Sequence, residues 1–288
     1  MNTILVIADA DLTQTVALKQ ALELATAFDA KLHIAYFYFE DIRGLGLKGR
    51  EFKHQKVEQL DHKARTQQQE LNLGPEHSYE IVWRDDLSEW ACQFAKEHQP
   101  IFVLKTGHQS KKLLNTPTDW RLIRDCPTPL FIVCEKLWQK DQNVLACIDL
   151  QTTNEDKKQL NRQILEHAKQ LANLLGKQLH IGFSPTFSVV MKDLGIKSKK
   201  QTLLDAINKL TPELEQLCRT YNISMDHIHI KAGQPGLVLP SIAAEIHASI
   251  VVIGSSSHRG LTEQFIGDTA EKALELLKTH VVVLKLAG

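Results

Sequence analysis

Short apolar runs alternate along the chain with longer segments in which apolar residues recur at helical spacing. The first run, Thr3–Ala8, has the composition of a strand buried on both faces. It is followed by Thr13–Phe28, whose apolar residues recur every three or four positions and predict a helix. The order β-α-β-α-β-α-β-α-β is typical of a doubly wound parallel sheet with right-handed crossovers. The other elements predicted in this half are the strands Lys31–Phe39, Tyr79–Trp83, Ile101–Lys105 and Leu130–Cys134, and the helices Lys53–Leu71, Leu87–Glu97 and Arg121–Arg124.

The same alternation begins again at Val144–Ile148, which ends at Asp149 as the first strand ended at Asp9. The residues Leu24, Ala25, Leu32, His33 and Ile34 recur, at a constant offset of 147, as Leu171, Ala172, Leu179, His180 and Ile181. An internal duplication of this length predicts two tandem α/β domains, 1–138 and 143–288, each with a five-stranded parallel sheet. The second half adds the strands Gln178–Phe183, His227–Lys231, Ile250–Ile253 and Val281–Leu284, and the helices Glu155–Leu175, Lys200–Tyr221 and Leu237–His247.

Composition and charge narrow the class of protein. The 288 residues carry 34 basic and 34 acidic side chains, so no net charge draws the chain to nucleic acid or to an anionic membrane. No apolar run approaches the roughly 20 residues of a membrane helix, and the N-terminal segment lacks the basic start of a signal peptide. The five cysteines form no CxxC pair, which indicates reduced, buried thiols. We therefore expect a cytoplasmic protein that binds neither nucleic acid nor membrane.

The strongest candidate for a binding site is the stretch Ile250–Leu284. A buried strand ends at Gly254, a loop of small residues follows, and Gly267 precedes a helix. The free N–H groups and the dipole at a helix N-terminus favour an anion. Ligands of doubly wound sheets bind at the carboxyl ends of strands where the strand order reverses, so Asp149 and Gly254 face one crevice if their strands are neighbours. The residues singled out in this stretch are Gly254, Ser255, Ser257, His258, Arg259, Gly267, Asp268 and Thr269, of which His258 and Arg259 either contact phosphate or are simply exposed.

A second Gly-rich segment lies in the first half. The loop Glu40–Gly49 contains GLGLKG, a literal match to GxGxxG between a strand and a helix. However, it follows the second strand of its domain, and the charged segment Glu40–Arg43 separates it from that strand. We interpret it as a surface loop at the mouth of the sheet.

Other groupings of reactive side chains are weaker candidates for a functional site. His227 and His229 are predicted to alternate on a strand, but no further ligand has suitable spacing, so no metal site is predicted. His33 and His180 are interpreted as hydrogen-bonded residues of the second strands. No Ser-His-Asp or Cys-His arrangement is recognisable, so no dedicated catalysis is indicated. The loop Ser184–Ile196 is apolar for a crossover, and it covers either a domain contact or a ligand pocket.

The whole chain resembles the universal stress protein family, and its tandem, E-type members in particular. That family carries an ATP-binding signature, G-x2-G-x9-G-[S/T], after its fourth strand. Gly254 and Gly267 occupy the first and third glycines, whereas Ser257 and Asp268 depart from the pattern. The resemblance also implies that Asp149 and Ile181, which follows His180, contact the nucleotide.

The departures have physical consequences. Ser257 is compatible with the loop only if its backbone avoids positive φ. Asp268 can cap its helix unaided and would repel a phosphate, or it could help to hold a divalent cation. The first half has lost the signature, since Thr106, Thr116 and Pro117 stand at the aligned positions.

In the vacated first-half site, we predict that Lys105, at the end of the fourth strand, contacts Asp9. The resemblance implies a cytoplasmic universal stress protein that contributes to stress resistance. It would bind ATP, with Mg²⁺ as the accompanying ion, in its C-terminal domain and contact other proteins, a second copy of the chain among them. Two alternatives stay open, a ligand-free interaction scaffold and a weak ATP hydrolase for which Asp149 and Asp268 are the only candidate residues.

Overall fold

The structure is a computed structural model of the chain. It describes residues 2–9, 16–107, 117–134, 142–185, 199–255 and 268–286. Of residues 9, 117, 199–203, 206 and 268, it describes the backbone alone. The chain divides into two compact units, of which the first holds the described residues up to Cys134 and the second those from Gln142 onward. The predicted boundary between residues 138 and 143 falls mainly in 135–141, outside the described residues, and it stays a prediction.

The first unit is a doubly wound α/β domain with a parallel sheet. Its strands are β1 (Asn2–Asp9), β2 (Ala30–Tyr38), β3 (Ser78–Trp83), β4 (Phe102–Thr106) and β5 (Leu130–Val133). Its helices are α1 (Val16–Ala27), α2 (Gly46–Glu70), α3 (Leu87–His98) and α4 (Pro117–Asp125).

The strands of the first unit lie in the order β3-β2-β1-β4-β5. The central strand β1 is buried from Ile4 to Ala8, as expected for a parallel strand with helices on both faces. The helix α1 buries Leu18 and Leu24 against the sheet, because its apolar residues recur on one side. The strand order reverses between β1 and β4, which places the ligand-binding edge of this fold at their carboxyl ends.

The second unit repeats this topology. Its strands are β6 (Asn143–Cys147), β7 (Leu179–Phe183), β8 (Ile228–Ile230), β9 (Ala248–Gly254) and β10 (His280–Leu284), all parallel to their neighbours. They lie in the order β8-β7-β6-β9-β10, which matches the first unit strand for strand. The helices are α5 (Glu155–Leu174), α6 (Lys199–Tyr221), α7 (Pro235–Glu245) and α8 (Asp268–Leu276), and a 3₁₀ turn spans Met225–His227.

The structure corrects the predicted elements at three places. The helix α2 begins at Gly46 and not at Lys53, so the GLGLKG segment is a turn followed by the first helical residues, with Gly44 at φ +98° and Gly46 at φ +55°. The helix α4 begins at Pro117, a residue suited to the first turn of a helix because it needs no N–H partner there. His227 belongs to the 3₁₀ turn and not to a strand, because the Ser224 side chain accepts the Asp226 N–H and delays β8.

The remaining general expectations concern membranes and thiols. Over the described ranges, no helix is long and apolar enough to cross a membrane. All five cysteines are free thiols; Cys218 is half-buried and the other four are buried.

Candidate functional site

The strand order of the second unit brings the two predicted halves of the site together. The strand β6 lies between β7 and β9, and Cys147 of β6 pairs with Ile253 of β9. Asp149 and Ser255, two residues further along each chain segment, therefore emerge at the same edge. The expectation that the first and fourth strands of this domain are neighbours is confirmed.

Asp149 is fixed at this edge by its backbone. Its N–H donates to Asn161 Oδ1 at 3.1 Å, and its carbonyl accepts from Asn161 Nδ2 at 2.7 Å. The carboxylate accepts the Gln151 N–H at 3.0 Å, and the residue is exposed. Asn161, on α5, was not singled out from the sequence. It directly follows the buried Leu160, and this position at the boundary of the core is the sequence signal that could have identified it. This clamp presents a charged oxygen to solvent at the reversal of strand order.

Gly254 has a packing role in addition to its place in the signature. A Cβ atom added there would lie 2.6 Å from Leu160 Cδ2 and 3.0 Å from Ile164 Cδ1, so a larger residue would displace α5. Ser255 is buried, and its N–H donates to the Leu284 carbonyl at 2.8 Å. Because that N–H completes the sheet beside β10, it does not serve as a free donor to an anion.

The other predicted site residues are distributed as follows. Ile181 lies on β7 and is fully buried, so its side chain has no surface for a ligand in this structure. Asp268 begins α8, and Thr269 is exposed in the first helical turn. The loop residues Ser257, His258, Arg259 and Gly267 lie outside the described residues, and their roles stay predictions.

The equivalent edge of the first unit holds a buried ion pair. Lys105 Nζ lies 2.9 Å from Asp119 Oδ1, and the side chains are only 7% and 3% exposed. Lys105 Nζ also donates to the Thr106 carbonyl at 3.1 Å. We expected Asp9 as the partner; its side chain lies outside the described residues, so that contact stays a prediction. Asp119 was missed, although an acidic residue in the first turn of a helix is a favourable partner for the helix dipole.

A second ion pair fixes α4 in the first unit. Arg121 Nη2 lies 2.8 Å from Asp86 Oδ2, and Asp86 also accepts the Glu89 N–H at 2.9 Å as the N-cap of α3. The backbone hydrogen bond from Glu89, with a smaller contribution from the hydrogen bond of Arg121, lowers the pKa of Asp86. The start of α4 is thus anchored both to β4 and to α3.

The second unit has apolar residues where the first has its buried ion pair. With Thr106 aligned to Gly254 and Pro117 to Asp268, Lys105 corresponds to Ile253 and Asp119 to Ala270. Both of these residues are buried. The two units therefore share a topology but not the chemistry of this edge.

The described side chains offer little for metal or thiol chemistry. Among them, no group of three or more His, Cys, Asp or Glu residues is arranged to hold a metal ion. Burial raises the pKa of the Cys147 thiol to about 12, which keeps it protonated and unreactive at neutral pH.

Comparison with known proteins gives consistent matches over most of the chain. The model of the universal stress protein family matches residues 1–133 and 142–285. Universal stress protein E of Escherichia coli K12 is 27% identical over 221 residues, covering 75% of this chain and 70% of the relative. The protein of that name from Photorhabdus laumondii is 26% identical over 225 residues, covering 76% of this chain and 72% of the relative.

Solved structures share the fold. The functionally unknown protein PA1789 from Pseudomonas aeruginosa PAO1 matches with a TM-score of 0.72 and 23% identity, over 100% of this chain and 93% of its own. A universal stress protein from Archaeoglobus fulgidus matches with a TM-score of 0.66 and 16% identity, over 100% of this chain and 99% of its own.

Proposed function

The chain is a tandem member of the universal stress protein family, and on that premise we propose that it serves the stress response by binding ATP in its second unit. Family membership supports the stress-response role itself. The nucleotide would lie at the carboxyl edge of β6 and β9, with Mg²⁺ as its accompanying ion. Other proteins, including a second copy of the chain, are the proposed partners.

The observation that supports this proposal is the difference between the two units at one position in the fold. In the first unit the edge holds Lys105 and Asp119, whose charges satisfy each other inside the protein. In the second unit the corresponding residues are apolar, and the carboxylate of Asp149, whose backbone is held by Asn161, belongs to an exposed residue near Gly254. A carboxylate at a reversal of strand order is suited to accept hydrogen bonds from ribose hydroxyls.

The remaining residues have distinct roles in the proposal. Free N–H groups at the start of α8, together with the hydroxyl of Thr269, would receive the phosphates. Arg259 would add positive charge from the loop, His258 would contact the phosphates, and Asp268 would hold Mg²⁺ beside them. Ile181, being buried, would support the site from beneath and would not touch the base.

Equilibrium titration with ATP, with and without Mg²⁺, tests the proposal. We expect wild type to bind, and Asp149→Ala to weaken binding by about 10- to 100-fold because hydrogen bonds to a charged group are lost. The matched control is Asp9→Ala, which removes the acidic residue at the end of the first strand in the other unit and should leave the affinity unchanged. Failure of wild type to bind ATP, or equal losses in both variants, would contradict the proposal.

A second candidate function is that of an interaction scaffold without a ligand. It is favoured by the structural roles of Gly254 and of the Ser255 N–H, which account for the first signature glycine and for the loop residue after it without any phosphate. The same titration decides between the two functions, because a scaffold binds no ATP. Release of phosphate from bound ATP, measured in the same samples, would identify the weak hydrolase.

A further inference from the structure

At the outer strands of the second unit, one histidine side chain is in contact with two others. They come from β7 (His180), from the 3₁₀ turn (His227) and from β8 (His229). His180 Nδ1 lies 2.8 Å from His229 Nε2 in a hydrogen bond. The His180 ring centroid is 4.4 Å from that of His227 and 5.1 Å from that of His229. We call these three residues the histidine cluster.

The hydrogen bonds of the cluster suit neutral imidazoles. His180 is only 7% exposed, and its Nε2 is buried without a hydrogen-bond partner among the described residues. If His180 donates through Nδ1–H, that Nε2 is a bare acceptor. If His229 donates instead, His180 carries its hydrogen on Nε2, and a buried N–H is left without an acceptor. An unsatisfied buried donor is costly, so the first arrangement is favoured.

A proton added to either member disrupts this arrangement. Protonated His180 has a buried N–H at Nε2 without an acceptor, and its charge faces two other imidazoles. Protonation of His229 at Nε2 sets two donors against each other unless His180 adopts its unfavourable tautomer. Burial, with smaller contributions from His227 and His229, lowers the pKa of His180 from 6.5 to about 4. Burial also lowers the pKa of His229, and His227 and Lys231 act in the same direction.

In the described part of the chain, the neighbouring elements do not supply a counter-charge to His180. Among the described groups, those whose charge acts on His180 or His229 are the cluster members themselves, Lys231 and Glu245. Glu245, the only titratable residue of α7, forms an exposed ion pair with Lys231 and accepts from Ser241 Oγ at 3.2 Å. The strand β6, on the other side of β7, has the sequence NVLAC and brings no charged residue.

The first unit has the same histidine in the opposite chemical setting. His33 precedes His180 by the offset of the duplication, and it bonds to Ser78 Oγ and Glu80 Oε1, each at 2.9 Å. The register of the strands places Glu80 opposite Ala35, as His229 lies opposite Gly182. Ser78 and Glu80 therefore occupy the positions of His227 and His229. A proton on His33 meets a carboxylate, whereas a proton on His180 meets two imidazoles.

We propose that the histidine cluster is an acid-sensitive latch that holds β8 on β7 at neutral pH and releases it when the pH falls. The strand β8 has only three residues, is half-buried, and ends the strand order of its unit. A short outer strand can open locally without unfolding the core. The pair β2–β3 of the first unit, with His33 beside Glu80, stays closed under the same conditions.

The direction of the pH effect on the closed state follows from the lowered pKa of His180. The opened state, with an ordinary pKa near 6.5, takes up the proton before the closed state does. Stabilisation of the closed state is therefore complete above about pH 6.5 and is lost as the pH falls towards about 4. For one histidine with this shift, the opening equilibrium at pH 5 is about 30-fold larger than at about pH 7.5.

Amide hydrogen exchange of the full chain at about pH 7.5 and about pH 5, corrected for intrinsic exchange rates, tests the latch. We expect protection of β7 and β8 to fall about 30-fold at the lower pH, while that of β2 and β3 is unchanged. The double variant His227→Ser/His229→Glu introduces the residues found at positions 78 and 80 of the first unit, and it should abolish the loss of protection at the lower pH. The mirror variant Ser78→His/Glu80→His should transfer the loss to β2 and β3.

Two results would overturn the proposal. One is an equal loss of protection in both units of the wild type, which would indicate general acid destabilisation. The other is an undiminished loss in His227→Ser/His229→Glu. If that variant does not fold, His180→Gln replaces it, because glutamine does not titrate and should remove the pH-dependent loss of protection. A loss that persists in His180→Gln would also overturn the proposal.

Discussion

At the scale of single residues, the buried pair Lys105–Asp119 is the most informative feature of the first unit. Lys and Asp are almost never fully buried unless they are paired. The attraction within such a pair is largely offset by the loss of hydration, so the pair as a whole adds little net stability. Removal of one partner, in contrast, leaves an uncompensated charge in the core. Because the two opposite charges neutralise each other, this edge of the sheet does not attract a further anion or cation.

We predict unequal effects for single and double replacements of this pair. Asp119→Ala should lower the free energy of unfolding by about 3–5 kcal/mol, because the buried Lys105 loses the carboxylate that lies 2.9 Å from its ammonium group. Lys105→Ile/Asp119→Ala, which introduces the residues of the second unit, should recover most of that loss. Denaturant unfolding followed by tryptophan fluorescence measures this, since Trp83, Trp90 and Trp120 all belong to the first unit. Equal losses in the single and double variants would contradict the account.

Gly254 gives a second prediction at this scale. Gly254→Ala should destabilise the second unit by about 1–3 kcal/mol, because the added Cβ overlaps Leu160. Leu160→Ala makes room, so the double variant should be more stable than the sum of the two single effects. Thermal unfolding followed by circular dichroism of all four proteins provides the double-mutant cycle. Simple additivity would show that the glycine is not required by this contact.

At the scale of elements, side-chain caps fix where helices start. Asp86 accepts the Glu89 N–H at the start of α3, and Asn154 Oδ1 accepts the Lys157 N–H at 3.0 Å at the start of α5. Each bond satisfies one of the N–H groups that a helix leaves unpaired at its beginning. Asp86 also pairs with Arg121, so it joins two helices of the first unit.

The Asp86 cap predicts a loss of stability and a pH dependence. Asp86→Ala should lower the free energy of unfolding by about 1–2 kcal/mol, most of it from the lost cap. The lowered pKa of Asp86 stabilises the fold above its ordinary value of 3.8, and this contribution is lost as the pH falls through the pKa of the folded state. Acid unfolding of wild type, Asp86→Ala and the exposed control Lys96→Ala measures it. An identical acid transition in wild type and Asp86→Ala would contradict the assignment.

The elements also show what the sequence could predict. Every strand that the structure describes was predicted, most of them because buried parallel strands are continuous apolar runs such as Thr3–Ala8. The start of α2 does not follow from the sequence, because the glycines at 44, 46 and 49 are typical of a loop although two of them lie in the helix.

The site was predicted only in part. The position of Asp149 followed from topology alone, since the ends of neighbouring parallel strands meet at one edge. The pairing of Lys105 with Asp119 depends on how α4 packs beside β4, and no local pattern encodes it. The contact of Gly254 with Leu160 is likewise a tertiary contact, so its packing role is visible only in the structure.

At the scale of the whole molecule, the two units keep one topology and differ in chemistry at corresponding places. The strand order, register and buried core are repeated. The edge residues differ, with the pair Lys105–Asp119 in one unit and Ile253 with Ala270 in the other. We therefore predict that the ligand site has been lost from the first unit and kept in the second.

The amount of ATP bound per chain at saturation tests this central claim most directly. Equilibrium dialysis of the full chain against ATP and Mg²⁺ should give one nucleotide per chain, because one of the two edges is filled by its own ion pair. The value should fall when Asp149 is replaced by Ala, and it should be unaffected by Asp9→Ala. Two nucleotides per chain, or none, would contradict the account.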